Sequence, residues 1–525
     1  MVERSRTGLA ACCAAIVLLG SCSPAGTATT THILVVDKSF DLHAADPHRE
    51  LDVTGALISR ALYSTLLTFD GGDEATPVQS VARSYSSSED ARTYTFNLRR
   101  DITFSDGTAL TSADVVYSIN RIINLKGAPS ALLAGVSASA PDTSTVVLKS
   151  SEPNPSLPLL LANPAIAIVN SRLVTSHGGS SAAGADTTDK AGDFLNTASA
   201  GSGPYMLKSF STFSDVELVA NPRYWGRQPF YRRVVIRNMD SRTQLAYIAS
   251  ATDEIALDLS PEQAGTLTGK PSVRINSFTS PDVVFLFANE NPLVSAVTAN
   301  KHFQNAVRSA VDYGALIQLM GAGAIQAAGV IPGRVLGALP AWAAQRQDAG
   351  TARAELAASG VTNPTVNLAY ASDIEVSGLP VSALASMVKA ELEAAGIKVN
   401  LSPAKGPAAM ADFTAGHEQM GLWLWPGSSP DPNTYLAFLP GRQLGLRAGW
   451  PGAADPSLES LGMQASTTPD PATRAQLFQA LQGQLNSDGP FFPLLQPGRM
   501  IVASNGIAGI AFNPSWTIDL SAVGD

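Results

Sequence analysis

Tyr94, Phe96 and Leu98 alternate with Thr93, Thr95 and Asn97, the period-2 pattern of a strand that buries one face. Ser105, Asp106, Gly107 and Thr108 then supply turn chemistry, because Asp tolerates left-handed backbone and Gly adopts it freely. A helix is predicted from Thr111, whose hydroxyl suits the cap, with Asp114 at the capping-box position. Val115, Val116, Ile119 and Ile122 form its apolar stripe. Farther on, residues 366–370 read as a short strand and 384–395 as a helix with Leu384, Met387, Val388 and Leu392 on one face. Gly396 stops that helix, and Ile397, Val399 and Leu401 alternate in a second strand. Strand, helix and strand in this order predict a parallel pair with a right-handed crossover. Residues 302–320 read as one helix, with Phe303, Ala306, Val307, Ala310 and Val311 on its apolar side. Residues 157–169 are apolar but hold Pro158, Asn163 and Pro164, which suits buried strand or loop. Residues 176–193 are rich in Gly, Ser, Ala and Thr and read as a mobile surface loop. The pattern as a whole is α/β.

The first residues have a different character. Arg4 and Arg6 precede a short apolar run over 8–19, too short to span a bilayer stably. Leu19, Gly20, Ser21 and Cys22 follow and resemble a bacterial lipobox. The expectation is a lipoprotein signal over 1–21, a small polar tether over 22–32, and diacylglycerol on the Cys22 thiol.

Composition narrows the function. With 525 residues, more than one domain is expected. A net charge of −9 argues against nucleic acid or anionic lipid as partner. The only cysteines are Cys12, Cys13 and Cys22, which excludes a disulfide framework, a cysteine zinc site and a thiol nucleophile in the mature chain. No two of the six histidines stand at metal-ligand spacing, and no HExxH occurs. Ser386 with Lys389, and Ser402 with Lys405, match S-x-x-K, but the companion S-D-N and K-T-G elements are missing. Gln326 stands where a dinucleotide fingerprint beginning at Gly321 needs glycine, and there is no Walker A motif. Neither catalysis nor a cofactor is expected.

The run over 93–120 closely resembles the signature of the family 5 extracellular solute-binding proteins, the oligopeptide/dipeptide/nickel-type receptors of ABC importers. Further likenesses recur in order: Asp46-Pro47-His48, Gly201-Ser202-Gly203-Pro204-Tyr205, Asn221-Pro222-Arg223-Tyr224-Trp225, the strand ending at Asn289, the helix around Val307-Arg308, Gly329 to Gly333, and Asp488 to Leu494. The resemblance implies a two-lobe periplasmic-binding-protein-like fold of type II, with an extra subdomain inserted in lobe one. Lobe one would comprise 33–272 plus 491–525, and lobe two 273–490. It also implies a monomer that closes its lobes over a peptide or peptide-like solute and delivers it to ABC permease and ATPase subunits. The membrane would be met only through the lipid anchor.

The binding segment implied by the resemblance holds Trp423, Trp425, Gly427, Ser428 and Asp431, with Tyr117, Phe287 and Asn289 as further ligand-side candidates. Aromatic surface beside Pro/Gly/Ser backbone offers stacking area and free N–H and C=O groups, and a strand such as 285–289 pairs with extended ligands. Arg308 is expected in a structural ion pair. In peptide-binding relatives an Asp three positions after the cleft Trp clasps the ligand's α-ammonium; here that position is Ser428. Either another carboxylate substitutes, such as Asp431 or Asp46, or the ligand buries no ammonium. Alternative readings keep the receptor fold for an oligosaccharide, haem or metal chelate, with His417 a candidate contact, or make the chain a regulatory lipoprotein without transport.

Overall fold

Three sheets organise the computed structural model, which describes residues 32–427 and 429–524. The signal, the Cys22 anchor and Ser428 therefore lie outside the described residues, as does the tether up to residue 31. A seven-stranded sheet runs in the order Val273–Thr279, Gly498–Ser504, Glu254–Ala256, Ile33–Lys38, Arg233–Asn238, Asp215–Ala220 and Tyr205–Phe210. Ile33–Lys38 pairs parallel with both of its neighbours, and the remaining pairs are antiparallel. A six-stranded sheet follows the order Ile325–Gln326, Phe491–Gln496, Val283–Ala288, Met420–Trp425, Thr365–Ala371 and Lys398–Ala404. Between the first and second groups of strands of the seven-stranded sheet the chain inserts a four-stranded antiparallel sheet, Ala82–Ser87, Thr93–Leu98, Thr145–Ser150 and Val136–Asp142. The α/β expectation is met.

Local chemistry explains the elements. In Thr93–Leu98 the residues Tyr94, Phe96 and Leu98 are buried and their neighbours are half-exposed. Thr111 caps Ser112–Leu125, and the Asp114 carboxylate accepts both the Thr111 backbone N–H and its hydroxyl at 2.9 Å. Thr365–Ala371 and Lys398–Ala404 pair in parallel around helix Val381–Ala394, and Gly396 takes φ +98° after the helix.

Three expectations are corrected. Residues 302–320 are two helices, Lys301–Ala310 and Tyr313–Met320. Val311 is extended, Asp312 caps the second helix by accepting the Ala315 N–H at 2.9 Å, and Glu391 accepts the Asp312 N–H. A cap and a tertiary carboxylate thus break an apolar stripe that continues without interruption in the sequence. Residues 176–193 carry the short helix Ala185–Thr188 and a buried carboxylate, Asp189, which binds Arg121 at 2.8 Å. Arg308 makes no ion pair among the described residues: it donates to Asn305 and to the Gly489 carbonyl, and lies 5.0 Å over the Phe492 ring.

Val273–Thr279 lies in the seven-stranded sheet and Phe491–Gln496 in the six-stranded one. The chain thus changes sheet at 280–282 and at Pro497, somewhat past positions 273 and 490. The crossings are tied together: Ser280 N–H donates to the Pro497 carbonyl at 2.8 Å, and the Gln496 amide donates to the Ser280 carbonyl at 3.0 Å. Core fills both faces of the six-stranded sheet, with Val284, Leu286 and Leu422 on one and Phe285, Phe287 and Trp423 on the other.

Candidate functional site

The segment running from Trp425 to Tyr435 leaves the six-stranded sheet and meets the half built on the other two sheets. Its strand, Met420–Trp425, is antiparallel to Val283–Ala288 with Trp425 opposite Val283. Trp423 faces the core at 7 % exposure, donates its indole N–H to Glu418 Oε2 at 2.8 Å and stacks on Phe413 at 4.4 Å. Trp425 is half-buried and packs edge-on to Phe438 at 5.7 Å. At Gly427 the backbone N–H donates to Asp282 Oδ1 at 3.0 Å, and a Cβ there would collide with the Pro281 carbonyl oxygen. Only glycine lets the strand turn this close to the crossing at 280–282.

Asp431 has other partners. It caps the 3₁₀ helix Pro432–Phe438 through the Asn433 N–H, accepts the Ser156 hydroxyl, and lies 3.2 Å from Arg474 Nη2. Asp46 is likewise engaged. Arg121, fully buried, binds Asp46 at 2.6 Å and Asp189 at 2.8 Å, while Arg49 reaches both. His48 accepts from Arg121 on Nδ1 and therefore donates from Nε2 to the Ala167 carbonyl at 2.8 Å. Burial, and then the Arg121 charge, push its pKa down to about 4, so it is neutral.

Phe287 lies wholly in the core between Phe413 and Phe491. Asn289 is also buried and clasps the Gly416 and Glu418 carbonyls at 3.1 and 2.9 Å. Tyr117 packs half-buried against the core of the seven-stranded sheet. Tyr117 thus lies apart from the tryptophan segment, whereas Phe287 and Asn289 support the buried Trp423 side of that strand and face no cavity between the halves. Ser386 and Lys389 also act separately, the hydroxyl donating to Ser382 and the ammonium to Val399.

Three cavities lie where the halves meet: one of about 410 Å³, walled by Asp258, Ser260 and Arg499 on one side and by Glu375, Ser377 and Gly378 on the other, and two smaller ones. The first of the smaller two, of about 170 Å³, is lined by Glu50, Asp52 and Gly55 at the start of helix Val53–Leu62, by Asn163, by Ser515 and, from the opposite half, by Ser429. The second, of about 160 Å³, is lined by Glu74 and Pro514 on one side and by Ser280, Arg334 and Gln496 around the crossing. Pro514 belongs to both walls.

Both smaller cavities carry acid whose pKa burial raises, with His43 beside Glu50 and Asp52 at 3.7 and 3.5 Å. Burial and the neighbouring Asp52 raise the Glu50 pKa, and burial followed by the like charge of Asp41 raises that of Asp52. Burial pushes Glu74 up to about 7, against the Ser515 hydroxyl that donates to it at 2.8 Å. Trp425 Nε1, Asn433 Oδ1 and Tyr435 OH are all buried without a hydrogen-bond partner among the described residues, an unusual concentration in one short segment. His43, Glu50 and Asp52 bring ligand atoms within 4.8 Å of one another, the one such set among the described residues.

The bacterial extracellular solute-binding protein model, family 5 middle, matches residues 76–443. The chain belongs to this family. It is 25% identical over 508 residues to the probable D,D-dipeptide-binding periplasmic protein DdpA of Escherichia coli (strain K12), covering 95% of each chain. It is 23% identical over 530 residues to the glutathione-binding protein GsiB of the same strain, covering 97% of this chain and 96% of the relative. Solved structures of similar fold include the ABC transporter substrate binding protein CtaP from Listeria monocytogenes, with TM-score 0.80, 17% identity, and coverage of 94% of this chain and 99% of that one. HbpA2 from Haemophilus parasuis matches with TM-score 0.80, 20% identity, and coverage of 94% and 99%. The fold is thus the type II periplasmic binding protein, its lobes built on the seven- and six-stranded sheets. Among the described residues of this family 5 protein no helix is long and apolar enough to cross a membrane.

Sequence reasoning did not find Glu50, Asp52 or Glu74. Asp52 before the apolar run 53–62 has the form of a helix cap; nothing local marks its approach to Ser429, which lies far along the chain.

Proposed function

We propose that this chain is the lipid-anchored, extracytoplasmic receptor of an ABC importer and that it captures short peptides between its lobes. Ser429 bounds the site from the second lobe, in the segment that also holds Trp425 and Gly427, and Glu50 and Asp52 bound it from the first. The observation that carries this reading is the interlobe cavity walled by Glu50, Asp52 and Ser429 within a chain of this family. The carboxylates of Glu50 and Asp52 supply the negative charge for an α-ammonium that Ser428 lacks, and the buried unpartnered atoms of the 425–435 segment suit a polar, backbone-like ligand. The small volume favours two or three residues over a long peptide. The names of the relatives, a D,D-dipeptide and a glutathione binder, agree with that size. The lobes close about the crossings at 280–282 and Pro497, expelling water before the receptor meets its permease. Cys22 holds it at the membrane.

Native mass spectrometry of the chain begun at Cys22 tests this directly. Adducts of peptide mass, and saturable heats with di- and tripeptides, are expected. A bare protein that gives no heat with any peptide pool would overturn the reading. The His43, Glu50 and Asp52 set favours a metal chelate as the second reading; a single adduct carrying a transition-metal isotope pattern would select it.

A further inference from the structure

The second lobe carries a groove of about 390 Å³ that shares no lining residue with the interlobe cavities. Asn367, from strand Thr365–Ala371, and Ser402, from Lys398–Ala404, contribute to its lining, as does Tyr370. Helix Gly406–Ala415 supplies Asp412, and the turn before the tryptophan strand supplies His417 and Glu418. The volume falls within the range of small-molecule sites.

Glu418 is the unusual member. It is 6 % exposed; its Oε2 accepts the Trp423 indole N–H at 2.8 Å, and its Oε1 is buried without any partner among the described residues. A buried carboxylate half-satisfied in this way is costly, and an amide would hold the tryptophan equally well. Asp412 adds a second negative charge and, after burial, raises the Glu418 pKa, which stands at about 7. Neither carboxylate has an ion-pair partner among the described residues, and no lysine or arginine lines the groove. Arg447 lies 4.8 Å over the Phe413 ring instead. The turn itself is held rigidly, by the Asn289 amide on the Gly416 and Glu418 carbonyls and by Gln419 Oε1 accepting the Asn367 N–H at 2.9 Å. A metal is disfavoured, because Asp412, His417 and Glu418 do not bring three ligand atoms within coordinating reach of one another.

We propose that this groove is a second ligand site, separate from the interlobe cavity, in which the free oxygen of Glu418 receives the primary ammonium group of a small organic amine. Asp412 strengthens the negative field at the mouth, and the Tyr370 ring and the Asn367 and Ser402 side chains offer aromatic and polar surface to the rest of the ligand.

The Trp423 indole N–H, bonded to the same carboxylate, reports occupancy. Putrescine is titrated into the ¹⁵N-tryptophan-labelled mature chain at constant ionic strength, with the Trp423 signal assigned by Trp423→Phe. A saturable shift is expected in the wild type, weakened roughly tenfold or more in Glu418→Gln, whose amide oxygen still accepts the indole N–H. Asp412→Asn, on an exposed helix position, is expected to weaken it less. Both variants keep peptide adducts at the interlobe site. Absence of a saturable wild-type shift, an equal shift in Glu418→Gln, or the same shift with sodium chloride alone would overturn the proposal.

Discussion

Arg474 Nη2 lies 3.2 Å from Asp431 Oδ1 and donates to Ser156 Oγ at 2.7 Å. One guanidinium therefore ties the loop after the tryptophan strand to the subdomain that precedes it in the chain by hundreds of residues. Burial alone lowers the Arg474 pKa, so the carboxylate is what keeps the charge tolerable there. Asp431→Ala leaves that charge buried and unpaired, and a loss of about 3–5 kcal/mol of unfolding stability is expected. Urea denaturation measures it; a loss below about 1 kcal/mol would mean that Arg474 finds water instead.

Gly427→Ala is expected to fold and to bind peptide roughly tenfold more weakly. Its new Cβ would strike the Pro281 carbonyl oxygen, so the loop must move off the interlobe wall. Calorimetry against the best di- or tripeptide decides the point, and unchanged affinity would place the ligand elsewhere.

Glu50→Gln and Asp52→Asn should weaken peptides with a free amino terminus by about ten- to a hundredfold, while N-acetylated peptides change little. Asn at position 52 can still accept the Gly55 N–H and keep the helix capped. Equal losses for both ligand classes would point to a general structural effect.

Two groups give opposite pH dependences. Burial holds Glu74 at about 7, above its ordinary 4.5. The folded state thus binds that proton more tightly, and the contribution to stability is complete below pH 4.5 and lost as pH rises through 7. Glu74→Gln is expected to melt above the wild type at pH 8 and close to it at pH 5. For Asp189, burial raises the carboxyl, but the bonds and charge of Arg121 outweigh this and hold it at about 2, below its ordinary 3.8. Its contribution is present above pH 3.8 and lost as pH falls through 2. Thermal melts across pH 2–9 read both; a Glu74→Gln curve parallel to the wild type would refute the first.

Much of the architecture was legible in one dimension. Period-2 runs such as 93–98, the Thr111–Asp114 capping pair, and the strand, helix, Gly396 and strand order of 365–404 depend on neighbours a few residues apart, so they are readable without any tertiary contact. So is the family, because its motifs stand in order along the chain. Gly427 and the two tryptophans marked the segment proposed to meet the ligand. What that segment does was decided by partners far away. Trp423 turns inward because Glu418 and Phe413 hold it, and Asp431 is engaged because Arg474 and Ser156 reach it. Asp46 and Asp189 converge on Arg121 from opposite ends of the inserted region. The helix break at Val311 needed the tertiary carboxylate of Glu391. Charge pairing and close packing act through space, so which acids line a cavity, Glu50 and Asp52 at the lobe junction and Glu418 in its groove, was settled only when the sheets came together.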